Sequence, residues 1–157
     1  MPTDRVLHEE KTFKVTALRQ GTVIDHLRSG TGLRVLQVLG LSQEGTVAIG
    51  LNLESSKLGH KDLIKIENRE LTKEEVNKIS LLSPEATLSI IRDFKVVSKL
   101  RPQLAGMIEG VLRCLNPACI TNHEQVKTRF KTLERSPLRM RCVYCELAIP
   151  EQEIELL

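Results

Sequence analysis

Cys114-Leu115-Asn116-Pro117-Ala118-Cys119 and Cys142-Val143-Tyr144-Cys145 hold all four cysteines of this 157-residue chain. They form a C-x4-C pair and a C-x2-C pair separated by 22 residues. At either spacing one tight turn can offer two thiolates to a single ion. Two such turns complete the tetrahedral all-thiolate set that structural zinc prefers, with no position left open for a substrate. The alternative is two disulfides or four unrelated buried thiols. Met1-Pro2-Thr3-Asp4-Arg5 runs into charged residues with no apolar stretch behind it, unlike a secretory signal. In an intracellular chain, paired cysteines point to metal more often than to disulfides. The expectation is a cytoplasmic protein with one structural zinc ion on Cys114, Cys119, Cys142 and Cys145.

Working outward, residues 113–157 carry too few apolar side chains to close a core without that ion. For such a segment metal-binding energy is largely folding energy, about 10 kcal/mol in zinc peptides. A small zinc-ribbon-like β domain is expected there. Residues 103–112, with Gly106 and Gly110, read as a connector, and Arg101-Pro102 closes the domain before it, residues 1–102. From Arg113 to Arg141 there are seven basic residues against two acidic ones, Glu124 and Glu134. The tail then turns acidic at Glu146, Glu151, Glu153 and Glu155. A basic zinc module could hold nucleic acid, but solvated charge on a small domain explains the same stretch. Phe130 is its one interleaved aromatic, thin for stacking on single strands.

Aromatics make up 3% of the chain and Trp is absent, so its cores must be built from Leu, Ile and Val. Net charge is +3, too mild to decide for or against an anionic partner. No apolar run is long enough to span a membrane. Residues 1–11 read as a polar arm, and residues 12–18 alternate Phe13, Val15 and Ala17 against polar partners, a strand signal that Gly21 breaks. Residues 33–39 are apolar at helical spacing and stop at Gly40, a C-cap. Residues 46–53 and 61–67 read as strands about a turn at 55–59. Thr72 and Glu75 form a capping box, Leu71 can staple onto Val76, and Val76, Ile79 and Leu82 make an inward stripe that ends at Ser83-Pro84. Residues 87–91 and 94–99 read as two further strands. The order β, α, β, β, α, β plus an extra strand is that of a ferredoxin-like split βαβ unit. The fold class is α+β.

No catalytic constellation is visible: there is no P-loop, no Rossmann loop, no nucleophile elbow and no metalloprotease helix. The reading is a protein that is not an enzyme. Period-two geometry on residues 61–67 does place Lys61, Leu63 and Lys65 on one face, with Asp62, Ile64 and Ile66 on the other. Two ammonium groups flanking an apolar side chain suit a polyphosphate beside a base. On periodicity alone, a wet strand face on which lysines solvate is the simpler reading. The same holds for Asp25-His26 and for Lys99.

Gly21-Thr22-Val23-Ile24-Asp25-His26, Ile49-Gly50-Leu51-Asn52-Leu53, Lys61-Asp62-Leu63-Ile64-Lys65-Ile66-Glu67-Asn68 and the cysteine quartet together resemble the regulatory chain of aspartate carbamoyltransferase. The resemblance runs from about Val15 to Glu146 and weakens at both termini and between Asn122 and Leu138. It implies a non-catalytic subunit of pyrimidine biosynthesis whose first domain binds CTP, UTP or ATP and whose zinc domain docks on the catalytic chain. Homodimers of such chains bridge catalytic trimers. Carried over, Lys61, Lys65 and Lys99 hold the triphosphate with His26 beside them, and Asp25 faces the ribose. Val15, Ala17, Leu18, Leu63, Ile91 and Val96 shape the base pocket. Val96 and Lys99 would share a face only if a bulge intervened. Ser89 stands where the family commonly has a base-contacting Asn, and Phe94 where a Tyr is familiar. Asn116 and Glu146 match positions that contact the catalytic chain, while Ala118 replaces a second Asn. Coupling between domains would then run through the connector. The rival readings are a zinc-ribbon nucleic-acid-binding protein and a stand-alone nucleotide sensor.

Overall fold

The computed structural model describes residues 17–40 and 45–157. Its first half runs β1 (Gly21–Arg28), α1 (Gly32–Leu39), β2 (Val47–Ser55), β3 (Gly59–Glu67), α2 (Lys73–Leu82), β4 (Thr87–Arg92) and β5 (Lys95–Leu100). The five strands form one antiparallel sheet in the order β2-β3-β1-β4-β5. In it β1 and β2, joined through α1, are split by β3, the expected ferredoxin-like unit with β5 added at the edge.

The first strand departs from the sequence reading. Most of the strand expected at 12–18 lies outside the described residues, and Ala17 and Leu18 are not in a strand. Gly21 opens β1. Its φ is +140°, and a Cβ there would lie 2.0 Å from the Ile66 carbonyl oxygen on β3. Only glycine permits that approach. Period two then fails at a bulge: β1 pairs Ile24 with Ile64 and Leu27 with Asp62, leaving Asp25 and His26 in the irregular stretch between. His26 takes a left-handed φ of 54°. Ile24 and Leu27, three apart, therefore both point into the core, a spacing that alternation cannot reveal.

That core packs Ile24, Leu27, Ile64, Ile66 and Leu88 of the sheet against Val35 and Leu39 of α1 and Ile79 and Leu82 of α2. Among the described residues no helix covers the opposite face. The α2 capping box is present as read: Thr72 Oγ1 accepts from Glu75 N–H at 3.2 Å and Glu75 Oε2 from Thr72 N–H at 2.8 Å. Gly40 caps α1 in the left-handed region. The start of α1 is capped from outside. Asp62, fully buried, accepts from Gly30 and Gly32 N–H, each at 2.9 Å, and from Asn52 N–H at 2.8 Å.

The second half forms another antiparallel sheet, β6-β7-β8-β9, from β6 (Met107–Glu109), β7 (Arg129–Arg135), β8 (Leu138–Cys142) and β9 (Ala148–Pro150). Within 103–112, read from sequence as a connector, Met107–Glu109 pairs with β7, and Ile108, Val111 and Leu112 are buried. They pack with Phe130, Leu138, Met140, Ile149 and Ile154 around the cysteines. Leu81 of α2 joins this second core, and Leu156 packs against both cores. The two halves thus touch directly as well as through the intervening chain.

Candidate functional site

The cysteine pairs converge. Cys114 Sγ lies 3.5 Å from Cys145 Sγ and Cys119 Sγ 3.8 Å from Cys142 Sγ, and all four sulfurs lie within 4.8 Å of one another. A tetrahedral ion holding thiolates at about 2.3 Å spaces them about 3.8 Å apart. A disulfide would bring a pair to about 2.05 Å, so the disulfide alternative fails and the donor set fits zinc. Both turns are built by local hydrogen bonds. Asn116 Oδ1 accepts from Ala118 N–H at 3.0 Å, and Asn122 Nδ2 donates to the carbonyls of Cys114 and Asn116, both at 2.8 Å. In the second turn Glu146, at a left-handed φ of 63°, donates its N–H to the Cys142 carbonyl at 3.0 Å. His123 Nε2 instead lies 2.6 Å from the Pro117 carbonyl oxygen, engaged away from the sulfurs.

Burial pushes the Cys114 and Cys142 thiols up. Burial also opposes ionisation of Cys119, but the Thr121 hydroxyl, donating at 3.2 Å, and the Thr121 backbone draw it down to about 7. A divalent cation converts four thiols to four ligands, and with all four positions protein-held it is structural.

The other candidate surface is the uncovered face of the first sheet. One row crosses four strands there: Lys65 on β3 pairs with Val23 on β1, Val23 with Ser89 on β4, and Ser89 with Lys99 on β5. The next row holds Glu67, Gly21, Ile91 and Val96. On β5 the register skips Val97, since Ile90 pairs with Ser98 and Ile91 with Val96. That bulge is what puts Val96 and Lys99 on one side despite their odd spacing.

At the β1 bulge, Lys61 Nζ lies 2.8 Å from Asp25 Oδ1. His26 donates its N–H to the same oxygen at 2.6 Å, and its Nδ1 is 3.3 Å from Thr87 Oγ1. Burial works against the Asp25 carboxylate, but the Lys61 ammonium and the His26 N–H more than offset it and hold the carboxyl below its usual range. His26 is held below the usual imidazole range by burial, with Lys61, Lys57 and Lys99 adding to it against Asp25. The cluster is cation-rich and has its one carboxylate already committed.

The structure thus brings Asp25, His26, Lys61, Leu63, Lys65, Ser89, Ile91, Val96 and Lys99 to one face. Phe94 lies in the β4–β5 turn just before Val96, its N–H bonded to the Arg19 carbonyl at 3.1 Å: Asp93 and Phe94 both take positive φ, 47° and 60°, and Phe94 is 65% exposed. Val15 lies outside the described residues. Val23, Thr87 and Lys57 lie beside these residues and were not singled out in the sequence: the strand carrying Val23 was not recognised, Thr87 was read only as the start of a strand, and Lys57 as part of a turn. The nucleic-acid reading loses its aromatic: Phe130 is fully buried, and Arg129 and Arg139 are paired with Glu109 and Glu134.

The family described as aspartate carbamoyltransferase regulatory chain, allosteric domain, matches residues 13–103. The companion metal binding domain of that regulatory chain matches residues 106–155. The aspartate carbamoyltransferase regulatory chain of Pyrococcus abyssi is 51% identical over 145 residues, 90% of this chain and 95% of that protein. That of Methanocaldococcus jannaschii is 51% identical over 139 residues, covering 88% and 93%. That of Thermococcus kodakarensis is 45% identical over 146 residues, covering 92% and 96%.

Proposed function

This chain belongs to the family of aspartate carbamoyltransferase regulatory chains, and on that premise we propose that it is a non-catalytic subunit with two divided tasks. The first domain binds nucleoside triphosphates on the uncovered face of its sheet. The second, built around zinc, docks on the catalytic chain. The observation that carries the effector reading is the row Lys65–Val23–Ser89–Lys99 lying beside the Asp25–His26–Lys61 cluster. Cations set around an apolar and hydroxyl-bearing floor fit a triphosphate with its base lying beside it, since several positive charges must offset the phosphates. Lys61, Lys65 and Lys99 take the phosphates, His26 lies beside them, and Asp25 serves the ribose. Leu63, Ile91 and Val96 line the base, with Ala17 and Leu18 entering from the preceding chain.

For docking, Glu146 is exposed beside the exposed Ile120, Val143, Tyr144 and Leu147, an apolar patch around the metal turns. Asn116 shapes one of those turns and offers its amide nitrogen at the rim. Chains pair as homodimers that bridge catalytic trimers, which the fully exposed edge strand β5 supports. No helix among the described residues is long and apolar enough to cross a membrane, in keeping with a cytoplasmic assembly.

The test is native mass of the chain mixed with its own organism's catalytic trimer, with zinc and after its removal, followed by titration of CTP, UTP and ATP. A large zinc-dependent complex that takes up nucleotide is the expected result. A folded, zinc-loaded chain that ignores the trimer would overturn the docking half and leave a free nucleotide sensor.

A further inference from the structure

Arg28 closes β1 just past the Asp25–His26 bulge, and its register partner on β3 is Lys61. Its backbone is fixed on both sides. The N–H donates to Ser83 Oγ at 2.9 Å, and the carbonyl accepts from Thr31 Oγ1 at 2.6 Å. Its guanidinium crosses to the second domain, with Nη1 2.7 Å from Glu151 Oε1, while Nη2 lies 3.3 Å from Glu85 Oε1 of its own domain. The other oxygen of Glu151 accepts from Leu138 N–H at 3.4 Å, at the head of β8. That strand ends on the metal ligand Cys142.

Four residues therefore join the effector cluster to the metal turn: Lys61, Arg28, Glu151 and Leu138. The join is flanked by a cavity of about 420 Å³ lined by Arg28, Arg34, Leu82 and Glu151 among others, so the two domains are not packed solid around it. A second polar tie, Arg34 Nη2 to the Ile154 carbonyl at 2.8 Å, and the Leu81 contact complete this side.

We propose that the Arg28–Glu151 pair is a positioning contact of the regulatory function, through which occupancy of the effector face biases the placement of the metal domain. The proposal rests on the reading of that face as the effector site. A phosphate that draws Lys61 away from Asp25 loosens one side of the β1 bulge. Arg28 lies two residues past His26 and is the register partner of Lys61, so a shift of the bulge and of Lys61 reaches its side chain. The pair is half-exposed, so its worth to folding is small and it can be replaced without unfolding the chain. An effector acts only through contacts that differ between two states. A partly solvated ion pair beside a cavity is free to be made in one state and broken in the other.

The experiment uses the zinc-loaded chain assembled with its catalytic subunit. Wild type is compared with Arg28→Gln, Glu151→Gln, the double variant and the swap Arg28→Glu with Glu151→Arg. Zinc content, assembly mass and CTP affinity of every variant should stay within about twofold of wild type. The effector-induced change in activity, about fivefold or more for a coupled pair of sites, should collapse in each single variant. It should fall no further in the double variant and return at least in part in the swap. A full response in Arg28→Gln with CTP bound, or single-variant losses that simply add in the double variant, overturns the proposal. So does a wild-type complex that binds nucleotide without any response. A chain that binds no nucleotide overturns instead the reading of the face, and the proposal falls with it.

Discussion

Asp62 on β3 holds the amide of Gly32, the first residue of α1, at 2.9 Å while showing no surface to solvent. The same carboxylate takes two further N–H groups, from Gly30 and from Asn52 on β2, where the pairing with β3 shifts register between Gly50 and Leu53. A buried charge is tolerable here because three backbone dipoles and a helix start converge on it. Removing it strands three donors at once. Asp62→Ala should cost about 3–5 kcal/mol in denaturant unfolding of the first domain. A loss below about 1 kcal/mol would show that water replaces the carboxylate without penalty.

Metal removal should act on one half first. Chelation, or Cys142→Ser, takes away binding energy on the order of 10 kcal/mol from the β6–β9 sheet. Circular dichroism should show that sheet lost while the β1–β5 unit, with its own core, persists. Calorimetry of the metal-free chain should then show one transition where the loaded chain shows more structure melting. Complete collapse of both halves on chelation would show that Leu81 and Leu156 fuse the two cores into one cooperative unit.

Lys61→Ala should weaken triphosphate binding more than the loss of one contact predicts. It removes a cation worth about 1.5–3 kcal/mol in a charge-assisted bond and leaves Asp25 facing the phosphates without its partner. Adding Asp25→Asn should restore part of the affinity. Titration calorimetry on both variants checks this, and additive losses would separate the two residues.

Proton linkage should be visible at His26. Its folded-state pKa lies below the ordinary imidazole range, so the folded chain holds this proton less readily than the unfolded one. Stability is therefore full above that range and declines as pH falls through it. Asp25, also depressed, adds a further loss below the ordinary carboxylate range. A bound polyphosphate reverses the local field and raises His26. Nucleotide binding near pH 6.5 should then take up a proton, and affinity should rise as pH falls. Calorimetry in buffers of different ionisation heat reads the uptake. An uptake unchanged in His26→Gln would place the proton on another group, since a phosphate bound among lysines releases protons instead.

Ser89 lies between Val23 and Lys99 in the middle of the effector row. Its hydroxyl donates and accepts through one atom, where an amide would present a separate acceptor oxygen and a nitrogen with two donors. Ser89→Asn should change the order of preference among CTP, UTP and ATP, since purine and pyrimidine edges differ in donors and acceptors. An unaltered order would place base discrimination elsewhere.

Helix α2 was legible because its signals are local: Thr72, Glu75 and the stripe of Val76, Ile79 and Leu82 lie within a few turns. The metal centre was legible for the same reason, as each cysteine pair sits in one turn. The alternation of Lys61, Leu63 and Lys65 against Asp62, Ile64 and Ile66 also survives into the sheet. Strand β1 was not legible, because the bulge at Asp25 and His26 destroys its period and the strand begins on a glycine. Nor could any local pattern show that Met107–Glu109 is a strand, since three residues carry no period. Arg28 and Glu151 stand 123 residues apart in the chain. Their pairing exists only once two cores are folded and pressed together.

The unpaired Val97 has an effect beyond aiming Lys99 at the effector row. A straight, fully exposed outer strand bearing Val96, Val97 and Leu100 would offer its unpaired N–H and C=O groups to any other strand edge. The extra residue bends and twists that rim and interrupts the row of groups that another strand would pair with. Deleting this single valine should leave Val96 and Lys99 on one side at even spacing, straighten the rim and make edge-to-edge association easier.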